Sequence, residues 1–136
     1  MSGFEAEEFN RALSAWAVEN IDSLEAKLRA LMIDLAERII DRTPVKTGHA
    51  KANWQGSINT VVTEELEGFD PSGEVTKSSM MQVFQSFELG QTMYLQNNVP
   101  YINRLEYGWS QQAPEGMVRL TLIEMTEELV RSLSAK

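Results

Sequence analysis

The chain holds one histidine, His49, and no cysteine, so catalytic or metal chemistry here has to be built from carboxyl groups or from that single imidazole. Nucleophilic catalysis needs a base beside the nucleophile and an orienting group behind the base. His49 stands in Thr47-Gly48-His49-Ala50 with no such motif around it, and it reads as a solvated loop side chain. A zinc site would need further nitrogen or sulfur ligands. Without thiols, disulfides, thiolate metal sites and a cysteine nucleophile are excluded.

Glu64, Glu65 and Glu67 form an acidic cluster, but in a polar stretch nothing desolvates one of them and raises its pKa for acid–base work. Asp70-Pro71-Ser72-Gly73-Glu74 lacks the alternating oxygen ligands of a calcium loop, and no phosphate-cradling glycine pattern leads into a lysine. Glu106 differs, because it lies between Leu105 and Tyr107 in an apolar and aromatic stretch. A structural ion pair with Arg38, Arg42 or Arg104 is the first reading, since buried charges are usually paired; a catalytic carboxyl is the alternative. No catalytic, cofactor-binding or metal-binding residue is assigned, and no cofactor is expected.

The elements that position these groups come from a chain of 136 residues, 43% hydrophobic and 24% charged, which fits one globular domain. Its net charge of −8 disfavours tight nucleic-acid binding, which rests on Lys and Arg displacing counterions. An acidic wall past which DNA slides is still compatible with it. The acidic opening Met1-Ser-Gly-Phe-Glu-Ala-Glu-Glu is unlike a basic signal-peptide start, and no apolar run approaches the roughly 18 residues of a membrane span. Synthesis in the cytoplasm, with no membrane partner, is the expectation.

Between Phe4 and Arg42 there is neither Pro nor Gly, and Ile21, Leu24, Leu28, Leu31, Leu35 and Ile39 recur at helical spacing, which predicts one bent helix or two consecutive ones. Asp22 and Glu25 have the spacing of a reciprocal cap at the interruption. Residues 1–20 are expected either to belong to the domain or to form a protruding arm that orders on assembly. Thr43-Pro44 must end the helix, and Val45 to Gly48 form a tight loop. From Trp54 to Val62 the period is two, the mark of a half-buried strand, with Gly56 at a bulge or close approach.

Pro71 then opens a second helix carrying Val75, Met80, Val83, Phe84 and Phe87 and ending near Gly90. Thr92 to Gln96 is a short strand closed by Asn97-Asn98, a pair suited to positive φ. Pro100 to Tyr107 is a short helix with Tyr101, Leu105 and Ile102 facing inward and Gly108 at its end, and Pro114 opens a final helix with apolar residues wide enough for burial on two sides. The architecture expected is α+β, with long first and last helices on a small, mainly antiparallel sheet and an extra short helix.

Three stretches resemble a known family. Arg42-Thr43-Pro44-Val45-Lys46-Thr47-Gly48 followed by Asn53-Trp54 is similar to one signature of phage neck proteins, also called tail-completion or minor tail proteins. Asn97-Asn98-Val99-Pro100-Tyr101 with Leu105-Glu106-Tyr107-Gly108 resembles a second, and Ser110 to Arg119, containing Pro114 and Gly116, looks like the segment opening their last helix. The resemblance covers roughly residues 39–125, with His49 where arginine or leucine is more usual.

It implies a structural virion protein that joins head to tail of a long-tailed bacteriophage. Its partners would be its own copies, a hexamer before a dodecamer, together with the tail terminator and the head-side connector or stopper. Genomic DNA would only pass through the lumen. Trp54, Tyr101, Tyr107 and Trp109 are the candidate contact residues, as large aromatic anchors; Thr43, Pro44, Gly48, Asn97, Asn98, Pro100, Glu106, Gly108, Pro114 and Gly116 shape the loops. A tail-terminator ring, a carboxylate-based hydrolase and a soluble regulatory binder are the alternatives.

Overall fold

The computed structural model describes residues 3–133. The fold is α+β. Helices α1 (Gly3–Glu19), α2 (Leu24–Arg42) and α3 (His49–Ala52) precede strand β1 (Trp54–Ile58). Helix α4 (Glu74–Phe84), strand β2 (Met93–Asn97), helix α5 (Ile102–Glu106) and helix α6 (Val118–Ser132) follow.

The proline- and glycine-free start resolves into two helices joined by a 3-10 turn at Ile21–Ser23. Asn20 ends α1 by turning its side-chain amide back onto the Trp16 carbonyl at 2.8 Å. The cap expected from Asp22 and Glu25 does not form. Ser23 precedes α2 without a side-chain capping bond, and Glu25 instead pairs with Arg29 at 3.0 Å and accepts the Leu89 amide. Ile21 leaves the apolar stripe and is exposed, because the tighter turn rotates it off the α2 face.

An outlying arm is not what residues 3–19 form: α1 lies along α6 with Phe9 and Ala12 buried. Residues 1 and 2 of the expected arm lie outside the described residues. One core cluster joins these helices to the rest, drawing on Ile39 and Ile40 of α2, Trp54 of β1, Phe84 of α4 and Met125 of α6. That single core argues for one domain.

Helices α2 and α6 are also locked by charge. Arg38 binds Asp34 of its own helix at 3.0 Å and Glu128 of α6 at 2.7 Å, and Arg42 donates to Thr121 and Glu124. These bonds hold Glu124 and Glu128 below the usual carboxylate range, through Arg42 and Arg38 respectively, and raise Arg38 further.

The sheet has two antiparallel strands, with Trp54 opposite Asn97 and Ile58 opposite Met93. They are joined through α4 rather than by a hairpin. Gly56 is the point of close approach: a Cβ there would collide with the Met80 sulfur and crowd the Phe84 ring, so glycine lets α4 rest on β1. The strand stops short of the alternating 54–62 run because Asn59 turns the chain at φ 66° and accepts the Thr92 amide on its side chain at 2.9 Å.

Two helix starts differ from expectation. Helix α4 begins at Glu74, not Pro71, and Asp70 reaches over its first turn to accept both the amide and the hydroxyl of Thr76 at 2.8 Å. Burial pushes Asp70 upward, yet the bonds from Thr76 and the nearby amides bring it below its ordinary value. Val75 is exposed, and Phe87 is buried beyond the helix end. Helix α6 begins at Val118, not Pro114. It buries one face through Leu122, Met125 and Leu129, while Ile123 and Val130 face outward.

Candidate functional site

The motif residues gather at the end of the molecule where α2, β1, α5 and the start of α6 meet. Thr43, extended at ψ 125° before Pro44, sends its hydroxyl to the Ile39 carbonyl at 2.8 Å and accepts the Trp54 indole N–H at 2.8 Å. Trp54 is 7% exposed, so it fills the core instead of offering a contact surface. A large ring with one polar atom is buried where that atom finds a partner, and Thr43 supplies it.

The segment after β1 has no regular secondary structure over 61–70, but it is tied to the body at every second residue. Gln96 accepts the Val62 amide at 2.7 Å and donates to its carbonyl at 2.9 Å. The Glu64 carbonyl accepts from Gln55 and Asn98. Asn53, completely buried, accepts the Leu66 amide at 2.6 Å and donates to its carbonyl at 3.1 Å. His49 holds the Gly68 carbonyl at 2.9 Å, and the Asp70 amide donates to the Gly48 carbonyl at 3.0 Å. Side chains thus replace the backbone ladder of a neighbouring strand.

Gln112 grips Val45 in the same two-point way, at 2.8 and 3.0 Å, and so fixes the loop after Pro44. Asn97 donates to the Ala50 carbonyl at 2.8 Å and Asn98 to that of Val62 at 3.1 Å. Neither asparagine has the positive φ expected of a turn pair; their carboxamides, not their dihedrals, are what the fold uses.

His49 is a clamp rather than a solvated side chain. Its Nδ1 faces the Gly68 carbonyl and its Nε2 lies 2.7 Å from the Glu65 carboxylate. The Gly68 carbonyl and the Glu65 carboxylate are both acceptors, so the ring, once protonated, can donate to each of them. The Glu65 bond foremost, then the Gly68 bond, raise its pKa above the ordinary value.

Glu106 is 6% exposed. One oxygen accepts the Met117 and Val118 amides at 3.1 and 2.8 Å, and the other accepts the Arg119 amide at 2.9 Å and its guanidinium at 3.1 Å. The expected ion pair exists, with Arg119 in place of Arg38, Arg42 or Arg104, because α5 carries Glu106 to the first turn of α6. The unpaired amides and positive end of a helix N-terminus favour a carboxylate there. Gly116, at φ 85°, permits the approach, since a Cβ would strike the Glu106 carbonyl. Gly108 (φ 87°) abuts the Pro114 carbonyl and Gly48 (φ 90°) the Pro71 backbone in the same manner, while Pro100 turns the chain into α5 at the surface.

Three of the four aromatic candidates remain at the surface: Tyr101 is 38%, Tyr107 47% and Trp109 74% exposed. The Arg119 guanidinium lies 4.7 Å above the Tyr107 ring and that of Arg104 5.3 Å from the Trp109 ring, interactions that order an otherwise loose ring. Beside them a groove of about 540 Å³ runs between the Pro44–Ala50 turn and Tyr101, Leu105 and Gln112. Sequence reasoning missed Gln96 and Gln112, because a glutamine that grips a distant backbone has no local signal. Among the described residues no group of three or more His, Asp or Glu can hold a metal ion, and no helix is long and apolar enough to cross a membrane. No family model, curated protein or solved structure matches the chain.

Proposed function

We propose that this chain is a structural neck protein of a long-tailed bacteriophage, assembled in the host cytoplasm and joining head to tail as one subunit of a ring around the DNA channel. The observation that carries this reading is how the motif residues are used. Glu106, Asn53, Asn97, Asn98 and His49 spend their polar atoms on backbone and neighbouring side chains, and the result is a rigid end presenting Tyr101, Tyr107 and Trp109. Pre-ordered aromatic surface lowers the entropic cost of docking, and aromatic side chains dominate interface energetics.

The same economy argues against a hydrolase. Glu106 cannot engage a substrate without releasing the first turn of α6, and Glu65 is occupied by His49. The net charge of −8 suits a channel wall to which DNA does not adhere. A sixfold ring is preferred to a twelvefold one, with head-to-tail subunit contacts because only a heterologous contact closes such a ring. Its neighbours would be the tail terminator and the head-side connector.

Imaging of finished particles at side-chain resolution tests the proposal. Density for this chain as a ring at the collar is the expected result. Density capping the tail tube would make it a terminator, and absence of the chain from particles would overturn the virion role.

A further inference from the structure

An irregular loop tied to the body at every second residue should gain by covering its apolar side chains, since fixing a backbone costs about 1–2 kcal/mol per residue. Here Val61, Leu66 and Phe69 remain 53%, 39% and 65% exposed. Glu64 and Glu67 stand beside them, also exposed. Neither acid is in an ion pair among the described residues. The loop is therefore an ordered acidic and apolar projection. In its own chain Phe69 tilts against His49 with ring centres 5.5 Å apart, and it does not line the groove beside Tyr101.

That groove has the opposite character. In a chain with eight more formal negative than positive charges, Arg29, Arg38, Arg42, Lys77 and Arg119 are neutralised by the chain's own acids. Lys46, which lines the groove, and Arg104, on α5 between the lining residues Tyr101 and Leu105, are exposed. Neither has an ion-pair partner among the described residues. Tyr101 and Leu105 give the groove an apolar wall.

We infer that the 61–69 loop of one copy seats in the Lys46–Tyr101–Leu105 groove of the next, with Phe69 against the apolar wall and Glu64 and Glu67 facing Lys46 and the neighbouring Arg104. The occupant is a second copy of this chain because both complementary halves are on it, one acidic and one basic, each with unused apolar surface. Opposite charges so placed steer and orient association. The contact is heterologous, the geometry a ring requires, and in that respect it rests on the ring reading above.

Sedimentation equilibrium of the full chain at low ionic strength tests it, because such contacts weaken with salt. The wild type is expected to self-associate. Glu64→Lys with Glu67→Lys, or Lys46→Glu with Arg104→Glu, each weakens association by about tenfold or more, while an equimolar mixture of the two variants associates again. Phe69→Ala, which alters no charge, weakens it as well. A wild type that stays monomeric at hundreds of micromolar overturns the inference and leaves the groove to a foreign acidic segment. Self-association indifferent to both reversals and to Phe69→Ala also overturns it, but leaves the neck role to be decided by particle imaging. Melting curves close to wild type confirm that the variants are folded.

Discussion

Thr43 and Trp54 share a 2.8 Å hydrogen bond that passes from the indole through the hydroxyl to the Ile39 carbonyl, so one threonine closes the end of α2 and satisfies the only polar side-chain atom of a buried tryptophan. Replacing Thr43 by valine preserves shape and strands the indole N–H. A buried donor left unpaired costs about 1–3 kcal/mol, and urea denaturation should show a loss of that size. An unchanged midpoint would mean that the indole finds another acceptor.

Trp109 gives the converse case. At 74% exposure its truncation to alanine should leave stability within about 0.5 kcal/mol, yet particles carrying Trp109→Ala should accumulate separate heads and tails. Trp54→Ala would confuse the issue, since emptying a core site of a large aromatic costs about 3–5 kcal/mol. Normal joining by Trp109→Ala would remove this residue from the contact.

Glu106→Gln keeps the size of the side chain but weakens four bonds to the start of α6. Hydrogen bonds to charged groups are worth about 1.5–3 kcal/mol, and a loss of roughly 2 kcal/mol in chemical denaturation is the expected outcome, with hydrogen exchange accelerating first at Met117, Val118 and Arg119. A variant that keeps wild-type stability while losing a hydrolytic turnover would instead favour the enzymatic alternative.

The pH response has two limbs. Asp70, Glu124 and Glu128 have folded pKa values below their ordinary ones, so their contribution is present above the unfolded values of about 4 and is lost as pH falls through the folded ones. His49 is raised from 6.5. Its contribution is complete below that value and is lost as pH rises through its higher folded pKa. Proton titration by NMR should find the His49 transition above 6.5. A transition below 6.5 would contradict the imidazolium clamp.

Helix periodicity and Pro44 made most of the architecture legible: α2, α4 and α6 lie where apolar spacing puts them, and α2 stops before Pro44 for the reason its ring geometry dictates. Helix starts were less so. Pro71 and Pro114 look like first helical residues, but each stands in a turn upstream, because Asp70 and Glu106 supply the capping carboxylates from outside the helix sequence. Asp22 failed as a cap once the chain tightened into a 3-10 turn. At the site, the surface position of Tyr107 and Trp109 and the pairing of Glu106 agree with local composition, whereas Tyr101, expected to face inward beside Leu105, lies at the surface. The burial of Trp54 and the grips of Gln96 and Gln112 depend on residues far away in the chain, which spacing does not reveal.

The two-point grips that Asn53, Gln96 and Gln112 place on Leu66, Val62 and Val45 carry no charge, and neither acid nor salt removes them directly. To a far-UV spectrum the stretch they hold counts as coil, because no repeating dihedral is present. A protease would encounter it as something else: taut, anchored chain that does not bend into a cleft, sparing the longest irregular segment of the protein from the nicking that usually finds such places first.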